Sequence, residues 1–208
     1  MTPSTAPSEI DIIERTNAFQ GYFRVDRYVL RHQTFAGGWT TPMTREVFER
    51  GHAAAVLLYD PDRGEFVMCE QFRVGAMAGG IDPWQLEMVA GIIDPGETPE
   101  GVARREAVEE AGVSVTELWP IAHYGVSPGG TSETVHLYLG RVSSVGAGGV
   151  FGLANEHEDI RAQVHSEQSL RAILDSGKIS NAATLIATQW FFLHRDKVHA
   201  AWTKKGDP

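Results

Sequence analysis

With one cysteine, Cys69, in 208 residues, the chain cannot close an internal disulfide. Cys69 sits inside the apolar run Phe66 to Glu70 and reads as a small buried residue, which fits a reducing compartment and an expected cytoplasmic location. Long hydrophobic runs are also missing, so no membrane span is expected. Residues Met1 to Ser8 are rich in Pro, Ser and Thr, without the basic and apolar stretches of a secretory signal, and read as a frayed terminus. Positive charge is scarce: 18 Lys and Arg stand against 27 Asp and Glu, for a net charge of −9. That balance lacks the basic footprint of a protein that tracks a phosphate backbone, so nucleic acid is not an expected partner. A small anionic substrate would meet the same repulsion unless a metal ion or a local arginine cluster offsets it. A cation is therefore implied.

The 42% hydrophobic content is enough for a full core, in one large domain or a domain with a small extension. From Ile10 to about Arg50 the pattern is mostly β-like, with Phe23 and Val25 flanking Arg24 and Tyr28 and Leu30 flanking Val29. This N-terminal antiparallel sheet is too small to hold a core alone and should pack on the rest of the chain or on a second copy. The expected division is residues 1–49 and residues 50–208. Within the second part, Ala53 to Tyr59 and Glu65 to Phe72 flank a Pro, Asp and Gly turn, as in a hairpin. Trp84 to Ile93, Val115 to Val126 and Thr134 to Val142 are further strands. Ser143 to Asn155 reads as a mobile loop, and Glu167 to Asp175 and Ala182 to Trp202 as helices. The last helix carries a broad apolar face of Leu185, Ile186, Trp190, Phe191 and Leu193.

The stretch from Gly91 to Val113 carries chemistry. Thr98 suits an N-cap, Pro99 the first helical position, Glu100 the positive end of the helix dipole, and Gly112 a left-handed exit. At 3.6 residues per turn, Glu106, Glu109 and Glu110 fall on one face. Ala103, Ala107 and Ala111 form an adjoining small stripe that lets the helix lie close to a sheet, while the carboxylates converge on an exposed edge as hard ligands for Mg²⁺. Arg105, four residues before Glu109, is placed to orient it by an ion pair. A bare glutamate pair on a helix would be read as solvated; three adjacent carboxylates after a Gly-containing loop are not.

This segment resembles the Nudix box, Gly-x5-Glu-x7-Arg-Glu-U-x-Glu-Glu-x-Gly-U with U apolar. The matching residues are Gly91, Glu97, Arg105, Glu106, Ala107, Glu109, Glu110, Gly112 and Val113, where Ala107 is smaller than the usual aliphatic. The resemblance implies an α/β fold, the Nudix α/β/α sandwich with a mixed sheet, and hydrolysis of a nucleoside diphosphate linked to another moiety. It implies Mg²⁺, with Mn²⁺ as the alternative, held by Glu106, Glu110 and the carbonyl of Ala90, and supported by Glu109 and Arg105.

Pro128, within Ser127-Pro128-Gly129-Gly130-Thr131-Ser132-Glu133, would alone be an ordinary turn. At this offset from the box it resembles a marker of the ADP-ribose pyrophosphatase group. That resemblance extends through Arg45 to Ala53, Glu70 to Arg73, Leu86 to Gly91 and Asn155 to Ile160. It implies ADP-ribose as substrate, AMP and ribose 5-phosphate as products, and a homodimer whose N-terminal sheets exchange. Position by position, it implies stacking of adenine on Tyr22, where the group usually has Phe, and ligand contacts from Arg45, Glu46 and Arg73. Glu133 is a further candidate for substrate contact and a reserve candidate for the base. The resemblance assigns the base to Glu156 and an additional metal contact to Glu158, on a loop from Ser143 to Asp159 whose closure would complete the site. Read from the residues alone, Glu156 to Asp159 fits a solvated acidic turn equally well. Tyr22 could simply fill a strand face, and Arg45 could be a surface charge. Two other functions stay open: a different Nudix substrate, such as a nucleotide sugar or a dinucleoside polyphosphate, and a silent fold that only senses ADP-ribose.

Overall fold

The computed structural model describes residues 7–153 and 157–202, which form two compact units. The first comprises the N-terminal residues to His52 together with Gly125–Thr134. It holds a three-stranded antiparallel sheet, β1 (Ile10–Gln20), β2 (Arg24–His32) and β3 (Met43–Glu49), in that spatial order. The Pro128 loop joins this unit because Phe48 bridges to Thr131 and donates its amide to the Gly130 carbonyl at 2.8 Å. Ion pairs hold the sheet face, with Asp26 buried between Arg15 (2.5 Å) and Arg24 (3.0 Å).

The second unit is built on an eight-stranded mixed sheet. Its strands are β4 (Ala53–Asp60), β5 (Glu65–Phe72), β6 (Trp84–Glu87), β7 (Val89–Ile92), β8 (Glu117–Gly125), β9 (Thr134–Arg141), β10 (Gly149–Phe151) and β11 (Ile160–Ser166). The main path runs β10-β11-β5-β4-β9-β8, with β6 on β5 and β7 on β4. Strands β4 and β9 are parallel; the other registered pairs are antiparallel. The strands at the centre are apolar on both faces because both are covered. On one face, Ala54, Val56 and Leu58 pack under helix α2 (Pro99–Ala111). On the other, Ala55, Leu57, Tyr59, Phe66 and Met68 pack under α3 (Glu167–Asp175) and α4 (Ala182–Trp202). This is the expected α/β/α sandwich beside a small antiparallel sheet. Tyr59 ties three elements together: its hydroxyl donates to Glu167 Oε1 at 2.5 Å and lies 2.6 Å from His199 Nε2.

Several details differ from the sequence expectation. The strand expected over Trp84 to Ile93 is two strands. At buried Met88 the chain passes from β5 to β4, and the Met88 amide is taken by Thr184 Oγ1 at 3.1 Å instead of a strand partner. A short helix, α1 (Val74–Ala78), follows β5. The segment expected to be a mobile loop contains β10, paired with β11, and Phe151 packs against the core. Helix α4 buries Thr184, Ala187, Thr188, Phe191, Val198 and Trp202, whereas Leu193 is 81% exposed. The buried stripe follows the i, i+3, i+4, i+7 rows set by Phe191 against Tyr59 and Phe66, with ring centroids 4.7 and 4.8 Å away. Among the described residues, no helix is long and apolar enough to cross a membrane.

Candidate active site

Helix α2 begins as its composition dictates. Thr98 Oγ1 accepts the Gly101 amide at 3.1 Å, Pro99 occupies the first turn, and Gly112 leaves the helix at φ 66°. Ala103, Ala107 and Ala111 are fully buried, so the helix backbone lies close to β4, β5 and β7. The small side chain at position 107 is therefore part of the packing.

This closeness brings the glutamates onto the sheet. Glu106 lies across Gly91 of β7, where a Cβ would overlap its carboxyl group. Gly91 pairs with Ala54, so the bare glycine faces α2 from the middle of the sheet. Glu110 is 3% exposed, and its Oε2 accepts the Ala90 amide at 3.2 Å. The expected exposed edge is thus a partly buried one. The alanine stripe that seats the helix also draws the neighbouring carboxylates out of water.

Arg105 organises the cluster. It donates from Nε and Nη2 to Glu97 at 3.0 and 3.3 Å, and from Nη1 to Glu106 at 2.8 Å and Glu109 at 2.9 Å. The expected Arg105–Glu109 pair is present. Glu97 accepts the Asp94 amide at 3.1 Å and so fastens the Gly91–Thr98 loop to the helix. The Arg105 guanidinium holds the Glu97 carboxyl below the usual carboxylate range.

One guanidinium does not neutralise the site. Burial pushes Glu106 up to about 7, opposed by Arg105 and reinforced by Glu109 and Glu158. Burial pushes Glu110 up to about 8, reinforced by Glu106 and Glu158 and opposed by the Ala90 amide and Arg73. Among the described residues, no three His, Cys, Asp or Glu side chains already enclose a common point. Glu106 is turned to Arg105 and Glu110 to the Ala90 amide. The donor set nonetheless suits a hard divalent cation: crowded, partly buried carboxylate oxygens that share one guanidinium.

The other expected residues fall as follows. Glu158 exchanges hydrogen bonds with Leu153, donating its amide at 3.3 Å and accepting Leu153's at 3.2 Å, and acts electrostatically on both Glu106 and Glu110. Glu156 lies outside the described residues. Arg73 acts on Glu110 and is held by Glu87 at 2.8 Å. Tyr22, Arg45, Glu46 and Glu133 belong to the first unit. Tyr22 is 89% exposed in the β1–β2 turn, edge-on to Phe23. Arg45 donates to the Thr44 carbonyl, Glu46 pairs with Arg27 at 3.3 Å, and buried Glu133 lies 3.6 Å from Arg50.

Glu87 and Asn181 were not anticipated. Asn181 Nδ2 donates to Glu87 Oε1 at 2.8 Å, so the carboxylate that grips Arg73 is itself gripped. The available signal was an acidic residue inside the apolar run Leu86-Glu87-Met88-Val89.

Because Glu106 occupies the space of a Gly91 side chain, Gly91→Ala should leave the melting temperature within a few degrees while cutting kcat/KM by about 10²-fold. That loss is typical when a reacting group is misplaced by about 1 Å. Melting and kinetics on one preparation check it; unchanged kinetics would show that the Glu106 position is immaterial.

The NUDIX domain family model matches residues 49–184. The chain is 45% identical to the ADP-ribose pyrophosphatase of Escherichia coli strain K12 over 195 residues, which is 94% of this chain and 93% of that protein. It is 32% identical to the GDP-mannose pyrophosphatase of Enterobacter sp. strain 638, over 88% of this chain and 94% of that one. A crystal structure titled as an ADP compounds hydrolase superposes with a TM-score of 0.70 at 17% identity, covering 95% of this chain and 98% of the other; it shows the shared fold. The box residues, with Arg105 bonded to Glu97, Glu106 and Glu109 and Glu106 set against Gly91, and these matches together make this chain a member of the Nudix hydrolase family.

Proposed function

We propose that this enzyme hydrolyses ADP-ribose to AMP and ribose 5-phosphate. The observation that carries the chemistry is the burial of Glu106 and Glu110 side by side with too little positive charge, a site suited to a divalent cation at a phosphoanhydride. The substrate is supported by 45% identity, over nearly the whole chain, to a protein of that activity. A nucleotide sugar is the second reading, supported by the relative at 32%.

Hydrolysis forms a bond from a water oxygen to one phosphorus and breaks that phosphorus's bond to the bridging oxygen. Glu156 is proposed as the base that takes the water's proton. Glu106 and Glu110, with Glu158 and the Ala90 carbonyl, are the residues that would hold Mg²⁺, or Mn²⁺ in its place. When bound, the ion neutralises phosphoryl oxygens and acidifies water. Arg105 keeps Glu106 and Glu109 in register, and Arg73, oriented by Glu87, faces the anionic substrate. Tyr22 stacks on adenine, and Arg45, Glu46 and Glu133 contact the ligand. The free, buried thiol of Cys69 supports a cytoplasmic setting.

Two copies associate through the first unit, exchanging N-terminal sheets. Support comes from Ile10, Ile12, Ile13 and Phe19, large apolar side chains of β1 that one copy leaves exposed. Light scattering should give twice the chain mass, and a monomer at micromolar concentration would refute the association.

Chromatography of ADP-ribose incubated with the enzyme and Mg²⁺ should show AMP and ribose 5-phosphate in equal amounts. Glu110→Gln should abolish most of this turnover without unfolding the protein. Faster hydrolysis of GDP-mannose than of ADP-ribose would favour the second reading. Retention of wild-type turnover by the variant would remove Glu110 from the site.

Glu156→Gln should lower kcat by roughly 10²-fold or more with KM nearly unchanged, as for loss of a general base. Glu158→Gln should instead be partly rescued by added Mg²⁺. Steady-state kinetics across a Mg²⁺ series separates the two roles, and wild-type turnover in Glu156→Gln would place the base elsewhere.

A further inference from the structure

Gly112 does more than leave helix α2 at a positive φ. A Cβ there would come within 2.6 Å of Phe151 Cε1 and 2.7 Å of Cζ, so the ring of Phe151 sits where any other residue would carry its side chain. Phe151 also packs against the core under α2, and its backbone pairs with buried Ile160 in β11. Strand β10 is thus fastened to the sheet by its backbone and to the end of the glutamate helix by one aromatic ring.

The next residues pass this constraint on. Gly152 runs at φ 105°, and a Cβ there would lie 2.7 Å from Glu158 Cβ and 3.0 Å from its carbonyl oxygen. Leu153 and Glu158 then exchange two hydrogen bonds. A continuous set of contacts leads from the C-cap of α2, through Phe151, Gly152 and Leu153, to Glu158.

We infer that Phe151 is a positioning residue of this active site: by seating on Gly112 it fixes where the Glu158 carboxylate stands relative to Glu106 and Glu110. The inference rests on the proposed reading of these glutamates as a divalent-cation site. The electrostatic action of Glu158 on both box glutamates agrees with it. The role differs from general packing because the helix keeps its own closure without the ring. The Gly112 amide reaches the Val108 carbonyl at 3.0 Å, and the Val113 amide reaches that of Ala107 at 3.1 Å. What the ring supplies is a tie between this cap and the strand that leads to Glu158.

The test is a double-mutant cycle in the full-length protein, read by Mn²⁺ binding in electron paramagnetic resonance and by activity. Phe151→Ala should weaken Mn²⁺ binding about tenfold, the lower end of what loss of a supporting contact around a metal ligand costs. Glu158→Gln should weaken it at least as much, and the double variant should bind no more weakly than Glu158→Gln alone, because both changes act through one carboxylate. Phe151→Leu, which keeps apolar volume but loses the planar edge on Gly112, runs in the same cycle. It should show the same non-additivity with a smaller loss, even if the alanine variant folds poorly. Fully additive losses in the leucine cycle, or unchanged Mn²⁺ binding in both Phe151 variants, would overturn the inference. Mn²⁺ binding that follows this cycle in a protein that does not hydrolyse ADP-ribose would instead sink the substrate assignment and leave the role of Phe151 standing.

Discussion

The contact on which the site depends is the close approach of helix α2 to strands β4 and β7. It is made possible by side chains that are nearly absent. Ala103, Ala107 and Ala111 on the helix and Ala54 and Gly91 on the sheet leave room for the Glu106 carboxyl group between the layers. A side chain at Gly91 would take the space that the Glu106 carboxyl group fills, and larger residues in the alanine stripe would hold the helix farther from the sheet. Burial is what raises their protonation points, and an uncompensated buried carboxylate is costly unless something positive offsets it. The packing that stabilises the fold therefore also creates the demand for a cation.

Arg105 meets only part of that demand, and its placement explains why the rest persists. Its guanidinium is spread over Glu97, Glu106 and Glu109, partly exposed, and makes no contact with Glu110. The deepest carboxylate is left with one backbone amide and the more distant influence of Arg73. Arg73 in turn is committed to Glu87, and Glu87 to Asn181. Orienting each charge by another on a rigid element is how a site holds its geometry before a ligand arrives.

Helix α2 was legible in the sequence almost to the residue, because its signals are local: Thr98 at the cap, Pro99 in the first turn, Gly112 at the exit, glutamates at helical spacing. Strands β4, β5, β8 and β9 were legible for the same reason, whereas β11 was not anticipated. What the sequence did not reveal depends on partners far along the chain. The break at Met88 requires Thr184, β10 requires β11, and the buried stripe of α4 follows Tyr59 and Phe66 rather than the most apolar side chains. The depth of Glu110 was missed because periodicity fixes the face of a helix but not how closely that face approaches its neighbour. Glu87 was visible as a charge in an apolar strand, yet its role needs Arg73 and Asn181 at its two oxygens.

The glycines of this region show how one residue type serves separate physical ends. Gly96, at φ 94°, is required by backbone conformation, with open space around it. Gly91 is required by volume, since its place is filled by Glu106. Gly112 is required by both, for it turns the chain left-handed and receives the ring of Phe151. None of these constraints distinguishes one nucleoside diphosphate derivative from another: carboxylates and a guanidinium around a cation suit any pyrophosphate. Relatives that share the family yet differ in the substrate they are named for are what such a site allows. Under the proposed function, discrimination between substrates therefore belongs to residues outside this helix, with Tyr22, Arg45 and Glu46 the first to examine, while the box fixes only the bond that is broken.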